Sequence, residues 1–210
     1  MPLDLTESEL LSLYLFADQW ICEPATDWAL QRIEGLGLGA SRMLGLAITL
    51  GVRRWVEPAL QQLFYIPMYS LSTSERDEIG SDAFAVISNA QLLLSDQRMS
   101  RAACPPPMAN VGFGMKGCRY YGILHEKSRC ARAWDHGWKE IGLRFIHPEE
   151  PVHLSQAMWY IRGHPFNGVS EECRIATIES LPPFFEIETQ IYQRAVKRIG
   201  ELIRMSPYSV

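Results

Sequence analysis

The sequence lacks the features that mark membrane-spanning and secreted proteins. No apolar run approaches the roughly 18 residues that a helix needs to span a bilayer. The opening residues MPLDLTESEL are acidic and contain neither the basic segment nor the apolar stretch of a signal peptide. We therefore expect an intracellular protein, in the cytoplasm or the nucleus, with reduced cysteines and no structural disulfides.

Strong charge and strand-like patterns are also missing. Only 21% of the residues are charged and the net charge is −4, so we expect no nucleic-acid partner. Hydrophobic residues make up 47%, which excludes a disordered chain. No run alternates apolar and polar residues for long enough to predict a strand, and no internal repeat is visible. The fold class predicted is all-α, a helical bundle.

A recognisable catalytic motif is absent as well. The segment GLGLGAS, residues 35–41, has the glycine content of a phosphate-binding loop. It follows a predicted helix instead of a strand, and no Lys-Ser or Lys-Thr pair comes after the glycines, so neither nucleotide-binding motif is present. We interpret it as a helix terminator.

Capping residues and apolar periodicity predict helices throughout the first half of the chain. Thr6 and Glu9 have the spacing of a capping box at the start of a helix over 6–21. Pro24 suits the first turn of a second helix, and further helices are predicted before Gly51, from about Glu57 to Phe64, and over 75–100. Three tryptophans are predicted to join the first two helices to the next two: Trp20, Trp28 and Trp55. The buried stripes of the first two are predicted to be Leu10, Leu13, Tyr14, Ala17 and Ile21, then Ala25, Trp28, Ala29 and Ile33.

Several of these helical segments carry short motifs in a fixed order. They are Ala17-Asp18-Gln19-Trp20, then Ala29 with Ile33, then the run from Val52 to Leu60, and finally Ser70-Leu71-Ser72 with Glu75 and Ile79-Gly80. In order and spacing this tract resembles fungal BTB/POZ proteins. The resemblance implies that residues 1–102 form the last BTB helices and a BACK-like helical region. It also implies a non-enzymatic protein–protein interaction or scaffold module.

The resemblance covers only part of the family's fold. We expect the chain to lack the strands and helices that make the family's dimer interface and partner groove. Cullin binding and BTB-type dimerisation are therefore not carried over to this sequence. The face of helix 6–21 that would pack on the missing part contains Leu11, Leu15 and Phe16. We expect this face to be apolar, exposed and available for self-association or for a protein partner of unknown identity.

The second half is predicted to be a separate helical subdomain. Three prolines and three glycines between Ala103 and Gly117 break regular structure. We therefore predict a linker over 103–117 and a C-terminal subdomain over 118–210. Its predicted helices cover residues 127–145, 153–162, 169–180 and 184–204.

Cysteines and histidines of the second half suggest two kinds of chemistry. Cys118, His125, Cys130 and Cys173 could supply the tetrahedral thiolate and imidazole ligands of a structural Zn²⁺, with Cys104 as a substitute. The plain alternative is buried cysteines without metal. A zinc-stabilised regulatory module is thus one alternative function. A cysteine-dependent enzyme, pairing Cys118 or Cys130 with His125 or His136, is another.

Aromatic residues are concentrated in the same region. Trp134 and Trp138 lie four residues apart, one turn along a predicted helix. Together with Phe145, Trp159 and Tyr160 they form either part of the core or the lining of a ligand pocket, and helical spacing favours the core.

Overall fold

The structure of the protein is a computed structural model that describes residues 5–109, 129–147, 154–181 and 184–205. No strand occurs among these residues, and helices account for most of them, which confirms the all-α fold class. The helices are α1 Glu7–Gln19, α2 Glu23–Gly35, α3 Ala40–Thr49, α4 Val56–Leu63, α5 Thr73–Ile79, α6 Ser81–Ala103, α7 Arg129–Phe145, α8 Leu154–Gly163, α9 Glu171–Ser180 and α10 Phe184–Met205. Short 3₁₀ turns occupy Arg53–Trp55 and Met68–Ser70. None of the described helices combines the length and the apolar character needed to cross a membrane.

The chain divides into two compact units, and each is described by itself below. Unit 1 comprises the described parts of Met1–Phe84 and Ile199–Val210, and unit 2 the described parts of Ala85–Arg198. The assignment of BTB-tail and BACK-like regions to the first part stays a prediction.

Capping boxes begin two helices of unit 1, and the first of them lies at the residues predicted. The Thr6 hydroxyl accepts from the Glu9 amide, and the Glu9 carboxylate accepts from the Thr6 amide at 2.8 Å. This backbone N–H, and then the Thr6 hydroxyl, hold the pKa of Glu9 below its usual value. Ser72 and Glu75 form the same arrangement in front of α5, with the Ser72 amide 2.8 Å from the Glu75 carboxylate. Each box satisfies backbone groups that a helix start leaves without partners.

One predicted helix is two helices in the structure. The continuous helix predicted over 75–100 is wrong, because α5 ends at Ile79 and α6 begins at Ser81. Between them Gly80 has a φ of 81°, in the left-handed region where only glycine is free of a steric penalty. The apolar stripe continues from Ile79 to Ala83 across this break, so periodicity alone does not reveal it.

Contacts of α3 hold the centre of unit 1 together. The Tyr14 hydroxyl on α1 donates to the Leu50 carbonyl at the end of α3, at 3.0 Å. Burial, with the charge of Asp18 as a second cause, raises the pKa of this hydroxyl. On its other side α3 approaches α5 closely, since a Cβ added to Gly45 would overlap the Glu78 carbonyl. Glycine at this position therefore permits the contact between the two helix backbones.

The three tryptophans predicted to join the first four helices behave differently. Trp55 is buried, and its indole N–H donates to the Glu34 carboxylate on α2. Trp20 is 69% exposed, so the predicted packing through this side chain was wrong. Trp28 is 37% exposed, so it is not fully buried as its place on the predicted stripe implied. The reason for Trp20 is that α1 ends at Gln19, so the buried stripe does not continue as far as the sequence pattern suggests.

In unit 2 an aromatic core lies along the buried face of α7. Its fully buried members are Trp134, Trp138, Phe145 and Phe166. The Trp134 indole N–H donates to the Pro106 carbonyl at 3.0 Å, and that of Trp138 donates to the Arg101 carbonyl at 2.9 Å. Because buried indole N–H groups need partners, these bonds fix α7 against the end of α6 and the residues after it.

The predicted linker over 103–117 is described only as far as Ala109. The Ala109 amide donates to the Thr177 hydroxyl on α9 at 3.2 Å. The described part of the segment is therefore attached to unit 2 by hydrogen bonds at Pro106 and Ala109. The linker and its boundaries stay a prediction, because residues 110–117 lie outside the described ranges.

Candidate functional site

Two of the four predicted zinc ligands lie within the described residues. Cys130 is the second residue of α7 and Cys173 the third residue of α9, and both are fully buried. Cys118 and His125 lie outside the described residues, and Cys104 is exposed at the end of α6. In the described ranges, no three side chains of His, Cys, Asp or Glu come together as a metal-binding group. The zinc site stays a prediction.

The predicted pairing of Cys130 with His136 is not formed. Cys130 is fully buried, whereas the imidazole of His136 is largely exposed and lies 3.5 Å from the Glu140 carboxylate. The two side chains therefore point from different faces of α7. The other nucleophile–base combinations involve Cys118 or His125, which are not described.

The aromatic residues of the second half form a core and not a pocket lining. Trp134, Trp138 and Phe145 are fully buried. Trp138 lies next to both others, with ring centroids 5.9 Å from Trp134 and, in an edge-on arrangement, 6.3 Å from Phe145. Trp159 is the exception, since it is 72% exposed on α8. Its ring lies edge-on against Tyr160 at 4.9 Å.

A cluster of polar contacts around His164 joins residues that are distant in the sequence. His164 Nε2 lies 3.0 Å from Glu140 Oε2, and His164 Nδ1 accepts from the Phe166 amide at 3.1 Å. Since Nδ1 accepts, we assign the proton of the neutral ring to Nε2, which donates to Glu140. A metal ion bound at Nε2 would move that proton to Nδ1, where it would face the Phe166 N–H. In this tautomer the cluster joins Glu140 on α7 to the backbone at Phe166.

A group of exposed apolar side chains lies at the end of α1. We call Leu15, Phe16, Trp20 and Ile21 the α1 patch. Phe16, Trp20 and Ile21 are 61%, 69% and 85% exposed, and Leu15 is half exposed. Phe16 and Trp20 lie one helical turn apart with ring centroids at 6.1 Å. The patch thus presents two aromatic rings and two aliphatic side chains to solvent.

The backbone after α1 holds the patch in place. The Ile21 amide donates to the Asp18 carbonyl at 3.0 Å, and the Cys22 amide donates to the Ala17 carbonyl at 2.8 Å. Ile21 itself has a φ of 52°, a conformation that is uncommon for a β-branched residue. This reversal ends the helix and turns the Ile21 side chain outward. Ile21 was predicted to be buried on the helix stripe, and that prediction was wrong.

The sequence identified this surface only in part. Leu15 and Phe16 are exposed as predicted, while Leu11 is only partly exposed. Trp20 and Ile21 were missed because the periodic pattern was extended past the true helix end. A signal was available: Asp18-Gln19 followed by Cys22-Glu23-Pro24 marks a helix end shortly before the next helix start.

Neither a protein-family model, nor a curated protein, nor a solved structure matches this chain. The resemblance to fungal BTB/POZ proteins therefore stays a prediction from the quoted motifs. The function proposed below rests on the geometry of the described residues.

Proposed function

We propose that this protein is a non-enzymatic protein–protein interaction module that binds its partner through the α1 patch. The observation that supports this proposal is the exposure of Phe16, Trp20 and Ile21 together at one helix end. Large contiguous apolar patches are uncommon on monomeric soluble proteins, and where they occur they mark sites of interaction. The BTB/POZ-type scaffold role proposed from the sequence motifs is of the same class.

The patch contains residue types that are enriched at the centre of protein–protein interfaces. Tryptophan is among the residues that contribute most to binding when they are buried in a partner's pocket. Covering a large apolar side chain is worth about 1.5–3 kcal/mol, so Phe16 and Trp20 together offer a substantial driving force. Their backbone is held by the hydrogen bonds at the end of α1, so little conformational entropy is lost when a partner binds.

A protein with such an exposed apolar surface is expected to self-associate when it is purified. In a solution of purified protein, the α1 patch of another copy is an apolar surface that can cover this one. We therefore expect a reversible monomer–oligomer equilibrium whose strength depends on Phe16 and Trp20.

Sedimentation velocity over a range of protein concentrations tests the proposal. The wild-type protein is expected to shift to larger species as concentration rises, and the double variant Phe16→Ser/Trp20→Ser to remain monomeric. Trp159→Ser is the matched control, since it removes an exposed tryptophan on α8 and should associate like the wild type. A wild-type protein that stays monomeric throughout, or a control that loses association equally, contradicts the proposal.

A zinc-stabilised helical module with a regulatory role is the second candidate. It is favoured by one observation, the complete burial of Cys130 and Cys173 in unit 2. Metal analysis of the purified protein tests it. The expected result is about one zinc per chain, since four ligands complete a structural site, with loss of the metal after Cys118→Ala. A zinc content that is low and unaffected by Cys118→Ala removes this candidate.

A further inference from the structure

A partly open cavity of about 300 Å³ lies within unit 2, between α6 and α10. The side chains from α6 are Val86, Asn89, Ala90 and Leu93. They occupy positions i, i+3, i+4 and i+7, so they form one stripe along that helix. Ala90 is buried at the floor, while Asn89 and Leu93 are exposed at the rim. This wall is mostly apolar and carries one amide.

The wall from α10 has the same spacing but a different chemistry. Its members are Ile191, Arg194, Ala195 and Arg198. Ile191 and Ala195 are buried and continue the apolar floor, whereas Arg194 and Arg198 are exposed and lie one helical turn apart. The cavity therefore has an apolar floor and two positive charges along one edge.

A buried ion pair fixes the two helices beside this cavity. Arg98 on α6 and Glu188 on α10 are 3.3 Å apart, and both side chains are largely buried. Because Arg98 follows Leu93 while Glu188 precedes Ile191, the two helices run antiparallel and the ion pair lies beyond one end of the cavity. Small residues face the space at Ala90 and Ala195, so the gap between the helices is not filled by side chains.

The charge of the cavity edge is not neutralised by the described part of the protein. Arg98 is paired with Glu188, but neither Arg194 nor Arg198 forms an ion pair with another described residue. Two neighbouring guanidinium groups suit an oxyanion, which they can bind through several charge-assisted hydrogen bonds. The Asn89 amide lies on the opposite wall and can add a neutral donor.

We propose that this cavity binds a small amphiphile, a molecule with one oxyanion head group and a short apolar chain. The chain lies on Val86, Ala90, Ile191 and Ala195, and the head group binds Arg194 and Arg198. This site is separate from the α1 patch, which belongs to unit 1, so the proposal does not depend on the proposed function.

The size of the cavity favours a small molecule over an acidic peptide helix. A volume of about 300 Å³ is at the lower end of pockets that take small molecules. A helix with its side chains is about 10–12 Å across and needs a groove with pockets for several successive turns. This cavity spans two helical turns of each wall.

Isothermal titration calorimetry of the full chain with octanoate tests the proposal. Octanoate is expected to bind at least about tenfold more tightly than acetate, because each buried methylene adds to the affinity. It is also expected to bind at least about tenfold more tightly than octanol, which lacks the charge. Equal affinity for octanoate and acetate, or for octanoate and octanol, overturns the amphiphile assignment.

Variants at the exposed edge show whether the binding is at this site. Arg194→Gln/Arg198→Gln is expected to weaken octanoate binding at least about tenfold. The matched control Arg53→Gln/Arg162→Gln removes two exposed arginines elsewhere and is expected to leave the affinity unchanged. Circular dichroism of both double variants establishes that they are folded. Leu93→Gln, at another exposed position of the cavity rim, is expected to weaken the binding of octanoate but not the binding of acetate. Equal affinity in all four proteins overturns the proposal.

The source of the oxyanion is distinguished with two further probes. Phosphatidylcholine vesicles with and without phosphatidylserine test whether the site instead recognises a lipid surface, and poly-glutamate tests an acidic chain. No binding of octanoate, together with Arg194- and Arg198-dependent binding of either probe, overturns the proposal in favour of that class.

Discussion

Phe166 is stacked on Trp134, with ring centroids 4.2 Å apart and ring planes at 15° to each other. Both side chains are fully buried, and Phe166 has a φ of 43°, which costs energy for a residue with a side chain. The stacked ring and the bond from the Phe166 amide to His164 hold this backbone in place. His164 in turn bonds to Glu140 on α7, so the loop between α8 and α9 is attached to α7 through both an aromatic and a polar contact.

Replacement of Phe166 tests the aromatic contact. Phe166→Ala is expected to lower the free energy of unfolding by about 3–5 kcal/mol, the usual cost of truncating a buried phenylalanine. Urea unfolding followed by tryptophan fluorescence measures it. Trp159→Ala serves as the control and should change stability by less than about 0.5 kcal/mol, because the side chain is exposed. A small effect at Phe166 would contradict its place in the core.

The polar contact is tested at His164. His164→Leu leaves the Phe166 amide without its acceptor and removes the bond to Glu140, so a loss of about 1–3 kcal/mol is expected. His136→Leu is the matched control, since its exposed pairing with Glu140 contributes little. Thermal and urea unfolding of the two variants provide the comparison. Equal effects at both histidines would show that the described bonds of His164 are not important for stability.

Local chemistry was sufficient to predict where α1 begins, and the start of α5 has the same chemistry. Thr6 with Glu9 and Ser72 with Glu75 form capping boxes within four residues, so the sequence contains all the partners. The break at Gly80 was not predicted, because a glycine inside an apolar stripe is compatible with either a helix or a positive φ. Trp20 and Ile21 were misplaced for a related reason: the stripe does not define the residue at which the helix ends.

Close approach of α3 and α5 is tested by adding one methyl group. Gly45→Ala places a Cβ where the Glu78 carbonyl lies, so the helices must separate and a loss of about 3 kcal/mol is expected. Gly200→Ala is the control, since that position in α10 has open space around it. It should gain about 0.5–1 kcal/mol from the better helix propensity of alanine. Urea unfolding followed by circular dichroism measures both, and a neutral Gly45→Ala would contradict the described packing.

Tyr14 gives unit 1 a pH dependence in the alkaline range. Burial raises the pKa of the folded hydroxyl above the ordinary value of 10.0, so the folded state holds this proton more tightly than the unfolded state. The contribution of Tyr14 is therefore complete below pH 10 and is lost as pH rises through the raised pKa. Tyr14→Phe should cost about 1 kcal/mol at neutral pH by removing the bond to Leu50.

The measurement for Tyr14 is the difference in unfolding free energy between the two proteins as a function of pH. This difference should be constant near neutrality and should shrink above pH 10, where the unfolded wild type begins to lose the hydroxyl proton while the folded state still holds it. A difference that stays constant through the alkaline range would show that the Tyr14 pKa is not raised by folding.

Sites were less predictable than helices, because their side chains come from distant parts of the chain. The His164–Glu140 pair joins residues 24 positions apart, and no local pattern links them. The cavity between α6 and α10 likewise depends on the packing of two distant helices, although Arg194 and Arg198 are one turn apart in the sequence. Exposure of Leu15 and Phe16 was predicted from their place off the buried stripe, and this part needs only the periodicity of one helix.

The most direct test of the proposed interaction surface is oxidative footprinting of tryptophan and phenylalanine side chains in dilute and in concentrated protein. We expect Phe16 and Trp20 to become protected as concentration rises, while Trp159 is oxidised equally at both concentrations because it lies outside the α1 patch. Unchanged oxidation of Trp20, or protection confined to Trp159, would contradict the proposal that the protein associates through the end of α1.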